Sequence, residues 1–282
     1  RAGTTPVLYT SRGELSLGSE AERRRFGLEL AAFMARLVGG LAPQLGYYGQ
    51  LASEDLGSLQ PLPPRPVALS PAERDAMRRH PGLQRALALF SIGMRSEAVR
   101  EWNFSLIGLS DRELLSAAQL ACEREIWDRC INSSERTREF MDFEQRFPMP
   151  YKSAVIARSQ QIMLDPAYVY GLIRQESRFV MDARSGVGAS GLMQVMPRTA
   201  KWTAKKIGLN GFQVSDLTQQ DTNIAIGTGY LKLVLDSFEG SMPLAAAAYN
   251  AGPSRPRRWR APNDGHGPRL EGAIWVENIP FN

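Results

Sequence analysis

The sequence contains very little cysteine or histidine, with two residues of each among 282. No Cys or His pair has metal-ligand spacing, so we expect neither a metal site nor a cofactor. Cys122 and Cys130 lie eight positions apart. On one continuous helix their Cα atoms would be about 12 Å apart, beyond the roughly 7 Å limit for a disulfide, which predicts free thiols. The cysteine content does not indicate whether the protein works in a reducing or an oxidising compartment.

Long apolar runs and strand patterns are also missing. No run approaches the roughly 20 residues of a membrane-spanning helix, so we expect no transmembrane segment. No hairpin dipeptide lies between alternating runs, and helical patterns extend through most of the chain, which indicates an all-α fold. The first residue, Arg1, is not Met and no signal-peptide pattern follows the start. We therefore expect a processed or cut chain.

Positive charge exceeds negative charge, with a net charge of +5 and a pI of about 9.4. This balance favours an acidic partner such as nucleic acid, an anionic membrane or an acidic cell-wall polymer, although it also suits simple solubility. The densest basic stretch is residues 255–260, where Pro256 interrupts four arginines and predicts a loop. No nucleic-acid motif accompanies it, so we expect no nucleic-acid partner.

Capping patterns and prolines divide the chain. Ser70 with Glu73, and Ser110 with Glu113, have the spacing of capping boxes, and leucines at helical intervals between them predict stacked helical hairpins. Four prolines within residues 61–66 predict a linker. The sequence therefore predicts two domains, a helical region over 1–147 and a compact α-domain over 148–282. The boundary lies in the extended connector Phe147-Pro148-Met149-Pro150.

One acidic residue stands out in the second domain. Asp165 and Pro166 predict a helix start, and the helix is expected to run to about Glu176. Glu176 continues the apolar stripe of that helix, which consists of Val169, Leu172 and Ile173. It could bend to solvent or pair with Arg178. Alternatively, it lies in an apolar cleft, where desolvation raises the carboxyl pKa as a general acid requires.

Three later segments admit structural and functional interpretations. Residues 185–191 are small and are predicted to form a loop. Its glycines either serve only to form turns or allow the backbone to approach a ligand closely. Gln194 follows among apolar residues, and Pro197 predicts a helix that ends near Gly208. An alanine-rich helix that starts at Pro243 brings Tyr249 and Asn250 to its end, before Gly252 and Pro253. Each segment alone is more simply explained as packing or capping.

Together, four short motifs in register resemble the soluble lytic transglycosylases. They are Glu176-Ser177-Arg178-Phe179, Gly191-Leu192-Met193-Gln194, Ala248-Tyr249-Asn250-Ala251-Gly252 and Glu277-Asn278-Ile279-Pro280-Phe281. Upstream, two further stretches are similar to the helical superhelix and its junction in the large, ring-shaped periplasmic members. They are residues 48–57 and Arg146-Phe147-Pro148.

The resemblance implies a helical-hairpin superhelix followed by a lysozyme-like α-helical catalytic domain. It implies cleavage of the β-1,4 bond between N-acetylmuramic acid and N-acetylglucosamine without water, which leaves a 1,6-anhydro end. Glu176 would protonate the glycosidic oxygen and then act as base on the 6-hydroxyl of the same sugar. The partners would be peptidoglycan strands and, as candidates, other cell-wall enzymes, all in the periplasm. More superhelix before Arg1 and a final helix after Asn282 are also implied.

The motif positions also imply roles for six further residues. Ser185 would contact the N-acetyl group of the substrate, and Tyr249 would hydrogen-bond to Glu176 and orient it. Gln194 and Met196 would line sugar subsites, Asn250 would contact sugar, and Glu277 would lie across the cleft or buttress it.

Two alternatives remain open from the sequence. A muramidase that hydrolyses the same bond would need a second carboxylate opposite Glu176, for which Asp182 and Glu277 are the candidates. A peptidoglycan-binding scaffold module would need no catalytic acid.

Overall fold

The computed structural model describes residues 7–10, 13–16, 36–44, 46–58, 62–260, 275–276 and 279. Contacts between Cα atoms divide the chain into two compact units, Arg1–Pro64 and Arg65–Asn282. The division falls in the proline-rich segment that was predicted as a linker. Residues 62–70 contain no helix or strand.

The first unit contains a β-hairpin that the sequence analysis missed. Strands β1 (Val7–Thr10) and β2 (Gly13–Ser16) pair antiparallel, with Val7 opposite Ser16. Each strand has only four residues and no Asn-Gly or Asp-Gly pair joins them, so neither usual hairpin signal is present. Among the described residues of this unit, α1 (residues 36–41) and α2 (Tyr47–Asp55) follow. The all-α class is confirmed, and this hairpin is a short β-element that the sequence analysis did not predict.

The larger unit begins with helical hairpins, as predicted. Its first helices are α3 (Pro71–Arg78), α4 (Pro81–Ser91), α5 (Arg95–Ser105), α6 (Asp111–Glu123), α7 (Trp127–Ser134) and α8 (Phe143–Arg146). Helix α4 packs against α5, α6 against α7, and α3 against α6. Both capping boxes are confirmed: the Ser70 hydroxyl accepts from the Glu73 amide at 3.2 Å, and Ser110 accepts from the Glu113 amide at 3.4 Å.

The prediction of two free thiols is wrong. Cys122 and Cys130 form a disulfide, and their Cα atoms are 5.0 Å apart. The geometric argument assumed one continuous helix, but α6 ends at Glu123 and α7 begins at Trp127. Glu125 between them adopts a positive φ of 57°. This turn folds α7 back beside α6 and brings the two cysteines together.

The second half of the larger unit is also helical. Its helices are α9 (Lys152–Gln161), α10 (Pro166–Ser177), α11 (Pro197–Lys206), α12 (Gln220–Ser237), α13 (Met242–Ala251) and α14 (Ser254–Arg260), with a 3-10 turn over Val214–Thr218. Helix α12 is central and packs against α9, α11 and α13. Gly227 of α12 lies so close to the Met193 side chain that a Cβ at that position would overlap it.

The helix boundaries predicted from caps are largely confirmed. The Asp165 carboxylate accepts from the Ala167 amide at 2.8 Å, and α10 begins at Pro166. Helix α11 begins at Pro197, and Gly208, with φ of 72°, follows its end. The loop predicted for residues 255–260 is wrong, because these residues belong to α14. Pro256 is the third residue of that helix, and in the first turn the missing N–H costs no intrahelical hydrogen bond.

Two hydrophobic cores lie within the larger unit, and α7 contributes to both. Cys130 belongs to the core of the helical hairpins, together with Trp102 and Leu83. The next residue, Ile131, belongs to the larger core around α12. Both residues are completely buried. Within the described residues, the model has no helix that combines the length and apolar character needed to cross a bilayer.

Candidate active site

Glu176 lies one residue before the end of α10, where the helix leaves the core. Ile173 and Val169, one and two turns earlier on the same stripe, are completely buried, whereas Glu176 is half-buried at the edge of a cleft. Among the described residues, no hydrogen bond or ion pair to its carboxyl group is recorded. Desolvation by burial raises the pKa of Glu176 from 4.5 to about 7.

The arginine that might have neutralised Glu176 is engaged elsewhere. Arg178 forms an ion pair with Glu135 at 3.4 Å, and Arg174 binds the same carboxylate. Arg178 has a left-handed backbone, with φ of 50°, and terminates α10. The two basic residues nearest to Glu176 in sequence are thus held by Glu135, which leaves burial as the cause of the raised pKa.

The cleft beside Glu176 has a volume of about 540 Å³. One wall comes from the helical hairpins and includes Arg95, Asp128 and Arg129. The rest of the lining comes from α10 and the loop that follows it. Its lining residues are Gln175, Glu176, Ser177, Arg178, Val180, Asp182, Ala183, Arg184 and Gln194. Glu176 and Gln194, from two of the sequence motifs, are therefore brought to one cleft.

Gln194 is fixed by its own side-chain amide. Its Nε2 group donates to the carbonyl oxygens of Ala183 at 3.0 Å and Gly191 at 2.8 Å. Both N–H donors of the amide are used in this way, which leaves Oε1 as an acceptor at the cleft. The backbone of Gln194 has a positive φ of 43°. The loop is thus folded around this side chain, and one polar atom remains for a ligand.

The side chain of Asn223 on α12 binds the same loop, and the sequence analysis did not identify this residue. Its side chain is completely buried. Its Oδ1 accepts from the Met193 amide at 2.8 Å, and its Nδ2 donates to the Ser190 carbonyl at 3.0 Å and the Leu217 carbonyl at 2.7 Å. An Asn among the apolar residues of a central helix was the available signal, because buried amides need partners.

Gly191 must be glycine at this point of the loop. Its φ is 81°, and a Cβ would collide with the Asn223 side chain and the Leu217 carbonyl. The glycine in the Gly-Leu-Met-Gln motif therefore serves close packing against Asn223 in addition to turn formation.

The hydrogen bond predicted from Tyr249 to Glu176 is not the one observed. The Tyr249 hydroxyl donates to the Met193 carbonyl at 2.8 Å, which uses its single proton. Burial is the main cause of a pKa for Tyr249 well above its usual value, and the charge of Glu176 and then Tyr230 add to the shift. Tyr249 is therefore close enough to sense the Glu176 charge, but it positions the Met193–Gln194 backbone.

Three other predicted site residues, Ser185, Met196 and Asn250, do not line this cleft. Ser185 accepts from the Ala189 amide at 3.0 Å through its hydroxyl oxygen and stabilises the tight loop. Met196 is 40% exposed immediately before α11, and Asn250 is exposed near the end of α13. Glu277 lies outside the described residues.

A buried charge network on the hairpin wall was also absent from the sequence analysis. Asp128 binds Arg95 at 2.7 Å and the Nε of Arg129 at 3.2 Å, and Arg129 donates to the Asn103 side chain at 2.8 Å. Burial lowers the pKa of Arg129. No local sequence signal identifies the network, because Arg95 and Asp128 come from different helices.

The fold and the cleft correspond to a known class. The transglycosylase SLT domain model matches residues 153–270, and the soluble lytic murein transglycosylase L domain model matches residues 76–142. Both matched segments contribute residues to the lining of the cleft. The matched part of the chain thus has the order of an L domain followed by a transglycosylase SLT domain.

Individual relatives agree with this class. The soluble lytic murein transglycosylase of Salmonella typhimurium strain LT2 is 31% identical over 248 residues, which cover 87% of this chain and 38% of that protein. The structure of the lytic transglycosylase Slt from Pseudomonas aeruginosa, solved as an inactive Glu-to-Gln mutant, matches with a TM-score of 0.78 and 35% identity, over 88% of this chain and 40% of that one.

A second solved structure, the 70 kDa soluble lytic transglycosylase of Escherichia coli, matches with a TM-score of 0.76 and 29% identity. That match covers 91% of this chain and 41% of the other. The chain belongs to the soluble lytic murein transglycosylase family. It spans about two fifths of the length of the relatives that it matches.

Proposed function

We propose that this protein is a lytic transglycosylase that cleaves the β-1,4 bond between N-acetylmuramic acid and N-acetylglucosamine in peptidoglycan. The observation that carries the proposal is the Glu176 carboxyl group, half-buried in a cleft with a pKa of about 7. A carboxyl with this pKa is substantially protonated near neutral pH, so it can donate a proton and then accept one.

In the proposed reaction, Glu176 gives its proton to the glycosidic oxygen as the bond from that oxygen to C1 of N-acetylmuramic acid breaks. The 6-hydroxyl oxygen of the same sugar then bonds to C1, and its proton passes to the Glu176 carboxylate. The enzyme returns to its starting state and no water is consumed. An internal hydroxyl held near C1 outcompetes water because its effective concentration is very high.

The surrounding residues receive supporting roles in this proposal. The Oε1 atom of Gln194 accepts a hydrogen bond from a sugar hydroxyl or an acetamido N–H. Ser185 contacts the N-acetyl group, and Met196 and Asn250 border neighbouring sugar subsites. Glu277 is proposed to contribute to substrate binding. Tyr249 acts on Gln194 through the Met193 carbonyl, so it is a positioning residue.

An essential catalytic glutamate has support from a relative. The Pseudomonas aeruginosa enzyme is described as inactive after one Glu-to-Gln change, as expected where one carboxyl serves both proton transfers. We further propose a periplasmic location, peptidoglycan strands and other cell-wall enzymes as partners, and a domain boundary between residues 147 and 148. Peptidoglycan lies outside the inner membrane, which is the reason for the location.

One specific observation favours a muramidase as the alternative function. Asp182 lines the same cleft as Glu176 and is exposed there. A carboxylate at that position could activate water, and the product would then carry a reducing end.

One digestion experiment separates the two functions. Purified peptidoglycan is treated with the protein, and the released muropeptides are analysed by mass spectrometry. We expect anhydro ends, which are lighter by one water, and a loss of about 100-fold or more in rate for Glu176→Gln. Glu239→Gln, at an exposed turn, is the matched control and should retain activity. Reducing ends that disappear in Asp182→Asn would instead establish the muramidase.

A further inference from the structure

The exposed side of α11 carries an unusual concentration of positive charge. Arg198, Lys201, Lys205 and Lys206 are all exposed, and Trp202 between them is 47% exposed. We call these five residues the α11 basic face. On the other side of the helix, residues 200, 203 and 204 are buried against the core. The basic face is therefore directed to solvent by the packing of the helix.

Helix stability alone does not explain this face. Lys205 and Lys206 lie in the last turn, where cations interact favourably with the helix dipole. Arg198 lies in the first turn, where the dipole disfavours it, and like charges at positions 201 and 205 repel each other. Within the part of the chain that the structure describes, none of the four cations has a recorded ion pair. An external anion would compensate this charge.

Aromatic contacts connect the α11 basic face to the active site. The Trp202 ring lies edge-on to Tyr230, with 6.3 Å between ring centroids, and Tyr230 lies 5.2 Å from Tyr249. Tyr249 in turn senses the charge of Glu176. Trp202 is therefore two ring contacts away from Tyr249. A long polymer bound at Glu176 would have the α11 basic face within its reach.

We propose that the α11 basic face binds peptidoglycan beyond the cleft, with its cations on stem-peptide carboxylates and Trp202 against the sugar and peptide surface. The proposal rests on the proposed function and adds a second contact area for the same substrate. An anionic membrane is less suitable, because interfacial helices insert a broad apolar face. Here Trp202 is the one large apolar side chain among the exposed residues of α11.

The test measures binding without cleavage. All variants are made in the Glu176→Gln background and sedimented with intact, purified sacculi at several salt concentrations. The test variant combines Lys201→Gln, Lys205→Gln and Lys206→Gln. The control variant removes the same charge from three exposed cations elsewhere, namely Arg79→Gln, Arg124→Gln and Lys152→Gln.

We expect the test variant to bind sacculi about tenfold more weakly at low salt, with a smaller dependence on salt, while the control variant stays within about twofold of the parent. Trp202→Ala should weaken binding and keep the salt dependence of the parent, since it removes no charge. Unchanged thermal unfolding midpoints will show that the variants remain folded.

Equal loss in the test and control variants would overturn the proposal, because net charge alone would then explain binding. Preferential binding of the parent to phosphatidylglycerol vesicles over sacculi would overturn it in favour of a membrane surface. Because binding is measured without turnover, these outcomes are independent of whether the active enzyme forms anhydro ends. Failure of the surface proposal and failure of the enzymatic proposal are thus distinguishable.

Discussion

The Tyr249 hydroxyl and the Met193 carbonyl are joined by a 2.8 Å hydrogen bond between residues 56 positions apart. This bond ties the end of α13 to the loop that presents Gln194. It holds a half-buried tyrosine near Glu176, and the Tyr249 hydroxyl proton is donated to the Met193 carbonyl rather than to the carboxyl group. The effect of Tyr249 on catalysis should therefore pass through the geometry of the loop.

Tyr249→Phe should remove this bond and leave the Met193 carbonyl without its partner. We expect a loss of about tenfold in kcat, because small displacements of substrate-positioning groups reduce rate strongly. The free energy of unfolding should fall by about 1 kcal/mol. Steady-state kinetics and urea denaturation measure the two effects.

Tyr168→Phe provides a matched control, since the Tyr168 hydroxyl bonds the Met242 carbonyl at 2.9 Å and Tyr168 does not line the cleft. It should change kcat by less than about twofold. If Tyr249→Phe shifts the pH profile but leaves kcat at the optimum intact, Tyr249 acts on the Glu176 proton instead.

The pKa of Glu176 predicts how activity depends on pH. The proposed first step needs the protonated carboxyl, so kcat/KM should decline as pH rises through about 7. The descending limb should be absent from the residual activity of Glu176→Gln. A descending limb in the wild type centred near 4.5 would show that the cleft does not desolvate this group.

The same pKa predicts a change in stability with pH. Unfolded Glu176 loses its proton near pH 4.5 and folded Glu176 near pH 7, so the folded state binds more protons between these values. Stability should consequently fall as pH rises through this window. With allowance for partial solvent access, the contribution is about 1–2 kcal/mol. Denaturant midpoints of wild type and Glu176→Gln at pH 5 and pH 8 should reveal the difference.

Asn223→Ala should damage the loop more than any single cleft substitution. It removes partners from the Met193 amide and from the Ser190 and Leu217 carbonyls, and it leaves a small cavity. We expect the free energy of unfolding to fall by about 2–4 kcal/mol. Asn210→Ala, at an exposed position, should change it by less than about 0.5 kcal/mol. Similar values for both variants would contradict the bracing role of Asn223.

Reduction of the Cys122–Cys130 disulfide should lower stability modestly. The bridge closes a loop of eight residues, and chain entropy for this length corresponds to about 2–3 kcal/mol. Unfolding midpoints with and without reductant measure the effect. The Cys122→Ala/Cys130→Ala variant should be insensitive to reductant, and a wild-type protein equally insensitive would argue against the bridge.

Part of the fold could be predicted from the sequence because the interactions that define it are between residues close in the chain. Ser70 and Asp165 cap their helices through atoms two or three residues away, so the chain near each position contains the whole signal. The Glu176 stripe is also local, because helical periodicity places it on the face of Val169 and Ile173. The short motifs then pointed to Gln194, which the folded loop brings to the same cleft.

The errors of the sequence analysis concern side chains whose partners are distant in the sequence and a helix end that no glycine or proline marks. The chain reverses at Glu125 without glycine or proline, so the proximity of Cys122 to Cys130 could not be deduced. The Tyr249 hydroxyl had several possible acceptors, and only tertiary packing selects Met193. Asn223 could have been flagged as a buried amide, but its three partners lie on two different segments.

The division of α7 between two cores limits how the protein can be dissected. Cys130 packs with the hairpin helices and its neighbour Ile131 packs with the helices around α12. A fragment that starts at Pro148 would keep Glu176 but lack Ile131, so the part of the main core that Ile131 covers would be exposed to solvent. Excision at the proposed domain boundary would therefore give a weakened catalytic module. A cut before Trp127 would retain the whole of α7.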